Sequence, residues 1–509
     1  MRKFIYLIIA SAAMLTSCKK EKVASSELDL MRDSVFYYEK QLYYWNDAIP
    51  EYATFQPRRY TGSNDLDALN KELFALSQYK INPATGKAYE YYAADPTHPK
   101  YSFIDDGSIS QELNGVTGDF GFAPIWNDLD DLRIRYVAPN SPAATAGIKR
   151  GYQITKINNR TNLTYDGDGG GGANLNFVIN AYANSTTISM TLKRPDASTF
   201  DVTLNTATYT INPVYNYKVI TQGGKKVGYF VFNEFTSLDN SKANINQAFN
   251  EFAAQGITEL VVDLRYNGGG RVETSEYLAN VIAPAAKVGS KMYTTYYNSL
   301  MQSGKADDLL RKQTRKDEET GKSYTYADFD YSEERNISMF SREDVSVPAL
   351  ALNHVFFIVT GSTASASELL INNLKPVMDV KLIGTTTYGK PVGFSYLQIN
   401  KYQMYTPMFE TKNSVNQGGY FTGMLPASPD YPGFKDFDDV THDFGDPTET
   451  LLAHALKFVE TGTYTINTPQ IQSTQRQRTM TIDQAREAAI QLDAPKFRSM
   501  VLSRPAFKK

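Results

Sequence analysis

A chain of 509 residues with 42% hydrophobic and 13% aromatic content can bury several cores, about two to four domains' worth. A formal net charge of −3 argues against a nucleic-acid partner, which calls for a concentrated basic face. Four histidines and one cysteine leave few candidates for a metal site or a Ser-His-Asp triad, and no metal or other cofactor is expected.

In chain order, Arg2 and Lys3 precede an apolar run from Phe4 to Leu15 that is too short to cross a bilayer. The run ends in Leu15-Thr16-Ser17-Cys18, which resembles a bacterial lipobox. That resemblance implies that Cys18 is lipidated and becomes the first residue of the mature chain. The protein would then be held at the surface of a cell-envelope membrane, on the outer membrane or the periplasmic face. Lys19 to Ser26 reads as a tether. Leu28–Tyr44 and Asp65–Leu76 carry apolar residues at helical spacing and predict a small helical N-terminal region.

Gly118 to Asn205 reads as a β-rich unit that resembles a PDZ domain. Gly118-Asp119-Phe120-Gly121-Phe122 fits the glycine-rich, apolar loop that captures a peptide carboxylate on backbone N–H groups. Gly118, Phe120, Gly121 and Phe122 are the candidate peptide-binding residues. Asn140 to Gly151 matches the turn and helix of the same resemblance. Tyr152 and Asn159 depart from it, standing where Asp and Gly are usual, so ligand preference does not carry over. Asp166 to Gly172 lacks the Lys-Ser/Thr of a phosphate loop and the terminal Glu of a calcium loop, and reads as a loop between strands.

From Lys226 strands alternate with helices: Val227–Phe232, helix Ala243–Ala254, strand Glu259–Leu264, helix Val272–Ile282. This order predicts a mainly parallel α/β core. The strand Glu259–Leu264 ends in Asp263-Leu264-Arg265-Tyr266-Asn267-Gly268-Gly269-Gly270. Glycines at the carboxyl end of such a strand let backbone N–H groups approach a substrate carbonyl. Tyr293 to Tyr331 reads as a polar, tyrosine-rich insertion over the active site.

His354–Val359 is a short apolar strand, broken by Gly361 and Ser362. Ser365-Ala366-Ser367-Glu368 then opens a helix. A serine there sits where helix N–H groups and the helix dipole favour negative charge. Most serines at such a position are simply N-caps. A second apolar strand, Val380–Ile383, leads to Thr385-Thr386-Thr387-Tyr388-Gly389-Lys390, where a lysine lies among small uncharged neighbours. Burial would favour its neutral, basic form.

Three segments together resemble peptidase family S41, the C-terminal-processing or tail-specific proteases. They are Thr363-Ala364-Ser365-Ala366-Ser367-Glu368, the Gly389-Lys390 turn 25 positions after Ser365, and Asp263 to Gly270. The resemblance implies an α/β fold, a crotonase/ClpP-like protease core with an N-terminal helical region and an inserted PDZ-like β domain. It implies a serine endopeptidase with polypeptide substrates, Ser365 as nucleophile and Lys390 as general base. The oxyanion hole would be the N–H of Ala366 with that of Gly268 or Gly269. Two family variants place a third residue near the lysine, an acid eleven after the serine or a glutamine four after the lysine. This chain has Pro376 and Phe394 there, which leaves Glu368, Thr387 or a water to orient Lys390. Expected boundaries are a leader 1–18, a linker and helical region 19–110, a PDZ-like unit 111–212, the protease core 213–465 and a tail 466–509. Two other readings are a catalytically silent, lipid-anchored peptide-binding scaffold and a carbohydrate or lipid hydrolase on the same scaffold.

Asp438-Asp439-Val440-Thr441-His442-Asp443 could suggest a metal, but its acids read better as caps of turns and helices. Phe394–Ile399 and Gln403–Phe409 read as a β pair and Thr448–Val459 as a helix. Thr481 and Gln484 form a capping-box pattern for a last helix.

Overall fold

The computed structural model describes residues 25–93, 95–167, 172–316, 321–466, 479–493, 499–502 and 507–508. The expected leader and Cys18 lie outside them. The protein has a mixed α/β fold. Its centre is a six-stranded sheet in the order Val214–Gln222, Lys225–Phe232, Glu259–Asp263, His354–Val359, Val380–Gly384, Gly433–Lys435. The first pair is an antiparallel hairpin, and the other four pairings are parallel. The hairpin turns at Gly223-Gly224, both at positive φ (57° and 77°), as a two-residue turn requires.

Side chains alternate across this sheet and both faces are covered, which is why its strands read as nearly continuous apolar runs. Phe230, Phe232, Val262, Phe357 and Leu382 face the main core, with helices Leu238–Gln255, Val272–Ile282 and Ala366–Leu374. Tyr229, Val231, Val261, Phe356 and Ile383 face helix Thr450–Thr461 through Leu451, Leu452 and Leu456.

A second sheet orders Ile337–Met339, Lys291–Tyr297, Phe409–Asn413 and Val392–Gly393, all antiparallel. Here the sequence reading is corrected. The tyrosine-rich stretch is not polar throughout; its first strand is largely buried, and Tyr293, Tyr297, Tyr326 and Tyr331 belong to the main core. Three of the hydroxyls find partners there, Tyr293 on Glu276 at 2.7 Å, Tyr326 on the Tyr396 carbonyl at 3.0 Å and Tyr331 on the Tyr326 carbonyl at 2.7 Å.

The expected pair over residues 394–409 is also redrawn. Leu397–Ile399 pairs with Tyr402–Tyr405 and, beyond it, Phe103–Asp105, while Phe409 belongs to the second sheet. The N-terminal helices Glu27–Leu42 and Asp65–Ser77 pack into the main core.

Residues 122–205 form a five-stranded antiparallel sheet with a core of its own. Helix Ala173–Ala183 closes part of that core. Helix Ile482–Leu492, from far along the chain, contributes Ala488 and Leu492 to it. Asn159, where glycine is usual in the resemblance, has φ +69° and so holds the left-handed turn that a glycine would. Among the described residues no helix is long and apolar enough to cross a membrane.

Candidate active site

Three turns at the carboxyl ends of neighbouring strands build the site. The first follows Glu259–Asp263. Arg265 is buried and bound to Asp263, Asp438 and Glu449 at 2.7–2.9 Å, which fixes the direction in which the turn leaves the sheet. Asn267 then shapes it. Its Nδ2 donates to the Phe232 carbonyl and its Oδ1 accepts the Gly269 N–H, both at 2.9 Å. The Gly268 N–H meets no partner among the described residues. Of the two glycines left open by the sequence, Gly268 therefore has the uncommitted donor. Gly270 has φ +139°, and a Cβ there would sit 2.0 Å from the Phe235 carbonyl oxygen, so only glycine fits.

The second turn follows His354–Val359 and carries Ser365. It is stitched to the first: Ala364 N–H and Ser367 Oγ donate to the Asn267 carbonyl at 3.1 Å, and Thr363 Oγ1 donates to the Leu264 carbonyl at 2.7 Å. Ser365 sits at φ 63°, ψ −111°, immediately before helix Ala366–Leu374. A non-glycine residue there is sterically strained and is held only by its surroundings. The side chain is fully buried, and its Oγ has no hydrogen-bond partner among the described residues. Ala366 is the first residue of the helix, where N–H groups lack intrahelical partners.

The third turn follows Val380–Gly384 and carries Lys390, 1% exposed. Its Nζ lies 3.8 Å from the centre of the Phe394 ring and 5.9 Å from that of Tyr101. No hydrogen bond joins Lys390 Nζ to Ser365 Oγ. What joins the two residues is Glu368. Its Oε2 accepts the N–H of both Ser365 and Lys390, each at 2.8 Å, so the two amide nitrogens lie within about 5.6 Å (twice 2.8 Å) of each other. Its Oε1 accepts the Gly389 N–H at 2.8 Å and the Thr387 hydroxyl. Burial pushes the Glu368 carboxyl up from its ordinary range, and these four donors pull against that rise. Glu368 thus holds the backbone of the lysine turn, and Thr387 holds Glu368 while accepting the Met424 N–H at 2.7 Å.

The N-terminal region completes the site, a contribution that its tyrosines did not announce. Tyr101 OH donates to the Gly389 carbonyl at 2.7 Å, and Lys100 Nζ to the Gly389 and Phe421 carbonyls at 3.1 and 2.8 Å.

The other candidates lie elsewhere. Gly118 pairs with Thr208 in a two-stranded sheet. Phe120 and Phe122 are buried in the core of the five-stranded unit. Gly121, at φ +76°, donates its N–H to Asp119 at 2.7 Å. Within the acidic stretch, Asp439 caps a turn through the Thr441 N–H at 3.1 Å, as read. Asp438, however, is an ion-pair residue. Burial alone would raise its carboxyl, but Arg150 and Arg265 outweigh burial and hold it at about 2. Since Arg150 belongs to the five-stranded unit's side and Arg265 to the glycine turn, Asp438 ties the two together.

Residues 226–422 match the family model described as peptidase family S41. Over 288 residues the chain is 28% identical to a carboxyl-terminal-processing protease of Picosynechococcus, covering 56% of each protein. It is 24% identical over 289 residues to the carboxy-terminal processing protease CtpA of Bacillus subtilis, covering 56% of this chain and 49% of that one. The chain thus spans about half the length of the curated relatives it matches. The crystal structure of a Bacteroides fragilis protein described as a candidate S41 protease superposes with a TM-score of 0.53 at 23% identity. That superposition covers 84% of this chain and 97% of the other, a likeness of fold. The stretch that matches peptidase family S41 thus includes Ser365, Lys390 and the glycine turn.

Proposed function

We propose that the protein is a serine endopeptidase that cleaves polypeptides through Ser365 and Lys390. The observation that carries this reading is the Glu368 carboxylate gripping the backbones of both residues, beside a strained, buried serine whose Oγ is uncommitted. In the reaction, neutral Lys390 Nζ takes the Ser365 hydroxyl proton as Oγ attacks the peptide carbonyl. The oxyanion is received by the N–H groups of Ala366 and Gly268, and losing one such donor typically costs about 100- to 1,000-fold in turnover. The lysine ammonium then protonates the leaving amine, and water, deprotonated by the Lys390 Nζ thus made neutral, hydrolyses the acyl-enzyme, the same proton passing on to the departing Ser365 Oγ. The reaction needs Oγ and Nζ to close the gap that now separates them, and catalytic contacts commonly tighten only when substrate binds. The five-stranded unit is read as a PDZ-like domain that receives substrate C-termini or gates the cleft. Cys18 is read as a lipid anchor at the cell envelope. Ser365→Ala and Lys390→Ala should each abolish cleavage of unfolded casein and leave the thermal melt near that of the wild type. Peptide binding without turnover in the wild type would favour a silent scaffold instead.

A further inference from the structure

Ser365 and Lys390 are both buried, so a polypeptide reaches them only if something moves aside. Residues 499–502 of the chain's own C-terminal tail lie beside the turns that carry them. Residues Ser499–Val501 run as a strand parallel to Gly269–Arg271, the strand that leaves the glycine turn. On its other edge the same segment bonds to the chain just past Lys390. The Phe394 N–H donates to the Met500 carbonyl at 2.8 Å, and the Leu502 N–H to the Phe394 carbonyl at 2.9 Å. Ser395 Oγ donates to the Leu502 carbonyl at 3.1 Å. The tail therefore lies between the glycine turn and the lysine segment, packed on the helix that begins at Ser365. An extended backbone hydrogen-bonded on both edges is how a cleft holds a peptide by strand addition. Successive side chains point to opposite faces, and here Met500 and Val501 are both buried.

Upstream, the tail is anchored to the five-stranded unit. Asp128 accepts the N–H groups of Thr479 and Met480. Gln491 bridges Tyr165 and the Gly167 carbonyl at 2.8 Å, and Tyr182 donates to the Leu492 carbonyl. Asp493 pairs with Arg135, a buried guanidinium within 5.3 Å of the ring centres of both Tyr136 and Tyr266. Arg486 crosses to the lysine turn and donates to the Thr386 and Thr387 carbonyls at 3.0 and 3.1 Å.

We infer that the C-terminal tail is the resident ligand of the peptide cleft: residues 479–493 dock on the five-stranded unit, residues 499–502 fill the channel between the glycine turn and Phe394, and a substrate must displace them. This rests on the reading of the cleft as the peptidase site. The channel would then take an extended segment with apolar side chains at the positions of Met500 and Val501. Departure of the tail strips Arg135 of its carboxylate, and an uncompensated buried charge resists that departure. An incoming peptide that brings a carboxylate to Arg135 would remove the resistance.

The test uses the full-length chain and two full-length variants, Met500→Asp and Asp493→Ala, with hydrogen exchange as the first readout. In the wild type the Phe394 and Leu502 amides should exchange slowly; unprotected exchange at Leu502 would overturn the inference whatever the variants do. In each variant exchange at Phe394 should quicken by at least about tenfold while strands Glu259–Asp263 and His354–Val359 stay protected. The same variants should lower KM for unfolded casein by about fivefold or more with little change in kcat, because a competing occupant has been weakened. A synthetic peptide of sequence 494–509 should inhibit the Met500→Asp chain competitively, and the same peptide carrying the Met500→Asp change should not. Unchanged exchange at Phe394 in both folded variants, or a fall in kcat with KM unaltered, would refute resident occupancy. If exchange responds as stated but neither wild type nor variants cleave casein, the tail is the occupant and it is the peptidase reading that fails.

Discussion

Glu368→Gln isolates the carboxylate that joins Ser365 to Lys390. The carboxylate accepts four hydrogens, two on each oxygen. A glutamine keeps one acceptor oxygen and turns the other into an NH2 group. In either orientation two donors lose their acceptor and face another donor. Each buried donor left unsatisfied costs about 1–3 kcal/mol, so the gross loss is about 2–6 kcal/mol. Part of this returns, because the amide no longer carries the buried charge whose desolvation raises the Glu368 carboxyl. The larger effect is on position. With the NH2 on the Oε2 side, the common acceptor of the Ser365 and Lys390 amides is gone. A misplacement of about 1 Å between reacting groups can cost about 100-fold in rate. Steady-state cleavage of unfolded casein should therefore show kcat lower by about 100-fold with KM little changed, the pattern of a group that acts through positioning. A melt recorded alongside should fall by several degrees. A Glu368→Gln protein within about threefold of wild type in kcat/KM would refute the argument that this carboxylate organises the dyad.

Three further outcomes follow from the same geometry. Asn267→Ala removes the acceptor of the Gly269 N–H and the donor to Phe232; it should cost about 1–3 kcal/mol of stability in chemical denaturation and lower kcat more than it changes KM. Gly270→Ala places a methyl group 2.0 Å from the Phe235 carbonyl oxygen at φ +139°, so the glycine turn must distort, and activity should be lost even in the fraction of protein that stays folded. Asp438 is held at about 2, below its unfolded value of about 3.9, so its pairing with Arg150 and Arg265 stabilises the fold fully above the unfolded value and is lost as pH falls toward 2. Tyrosine fluorescence followed from pH 5 to 2 should show an acid transition whose midpoint is shifted in Asp438→Asn, and an identical transition in both proteins would contradict the assignment.

Much of the core was legible because its signals are local. Strand His354–Val359 and helix Val272–Ile282 stand where apolar periodicity put them, since both faces of the sheet are buried and the helix presents one apolar side. The strand Lys291–Tyr297 was misread because tyrosine is ambiguous. Its ring packs like phenylalanine once its hydroxyl has an internal partner, and such partners come from distant residues such as Glu276. The same limit applies to Glu368. In the sequence it is one of three candidates to orient Lys390, while its grip on Thr387, Gly389 and Lys390 exists only once the two turns meet. Phe394 stands where a family variant carries glutamine, and its ring centre lies 3.8 Å from Lys390 Nζ. The tail strand left no trace in the sequence, because it joins the cleft through backbone bonds that carry no side-chain pattern.

The most direct measurement of the dyad is the rate and position of covalent labelling by diisopropyl fluorophosphate, read by mass spectrometry of the digested protein. Wild type should gain one phosphoryl group on Ser365, Ser365→Ala none, and Lys390→Ala should label at least about 100-fold more slowly. Labelling at another serine, or an equal rate in Lys390→Ala, would contradict the pairing of Ser365 with Lys390.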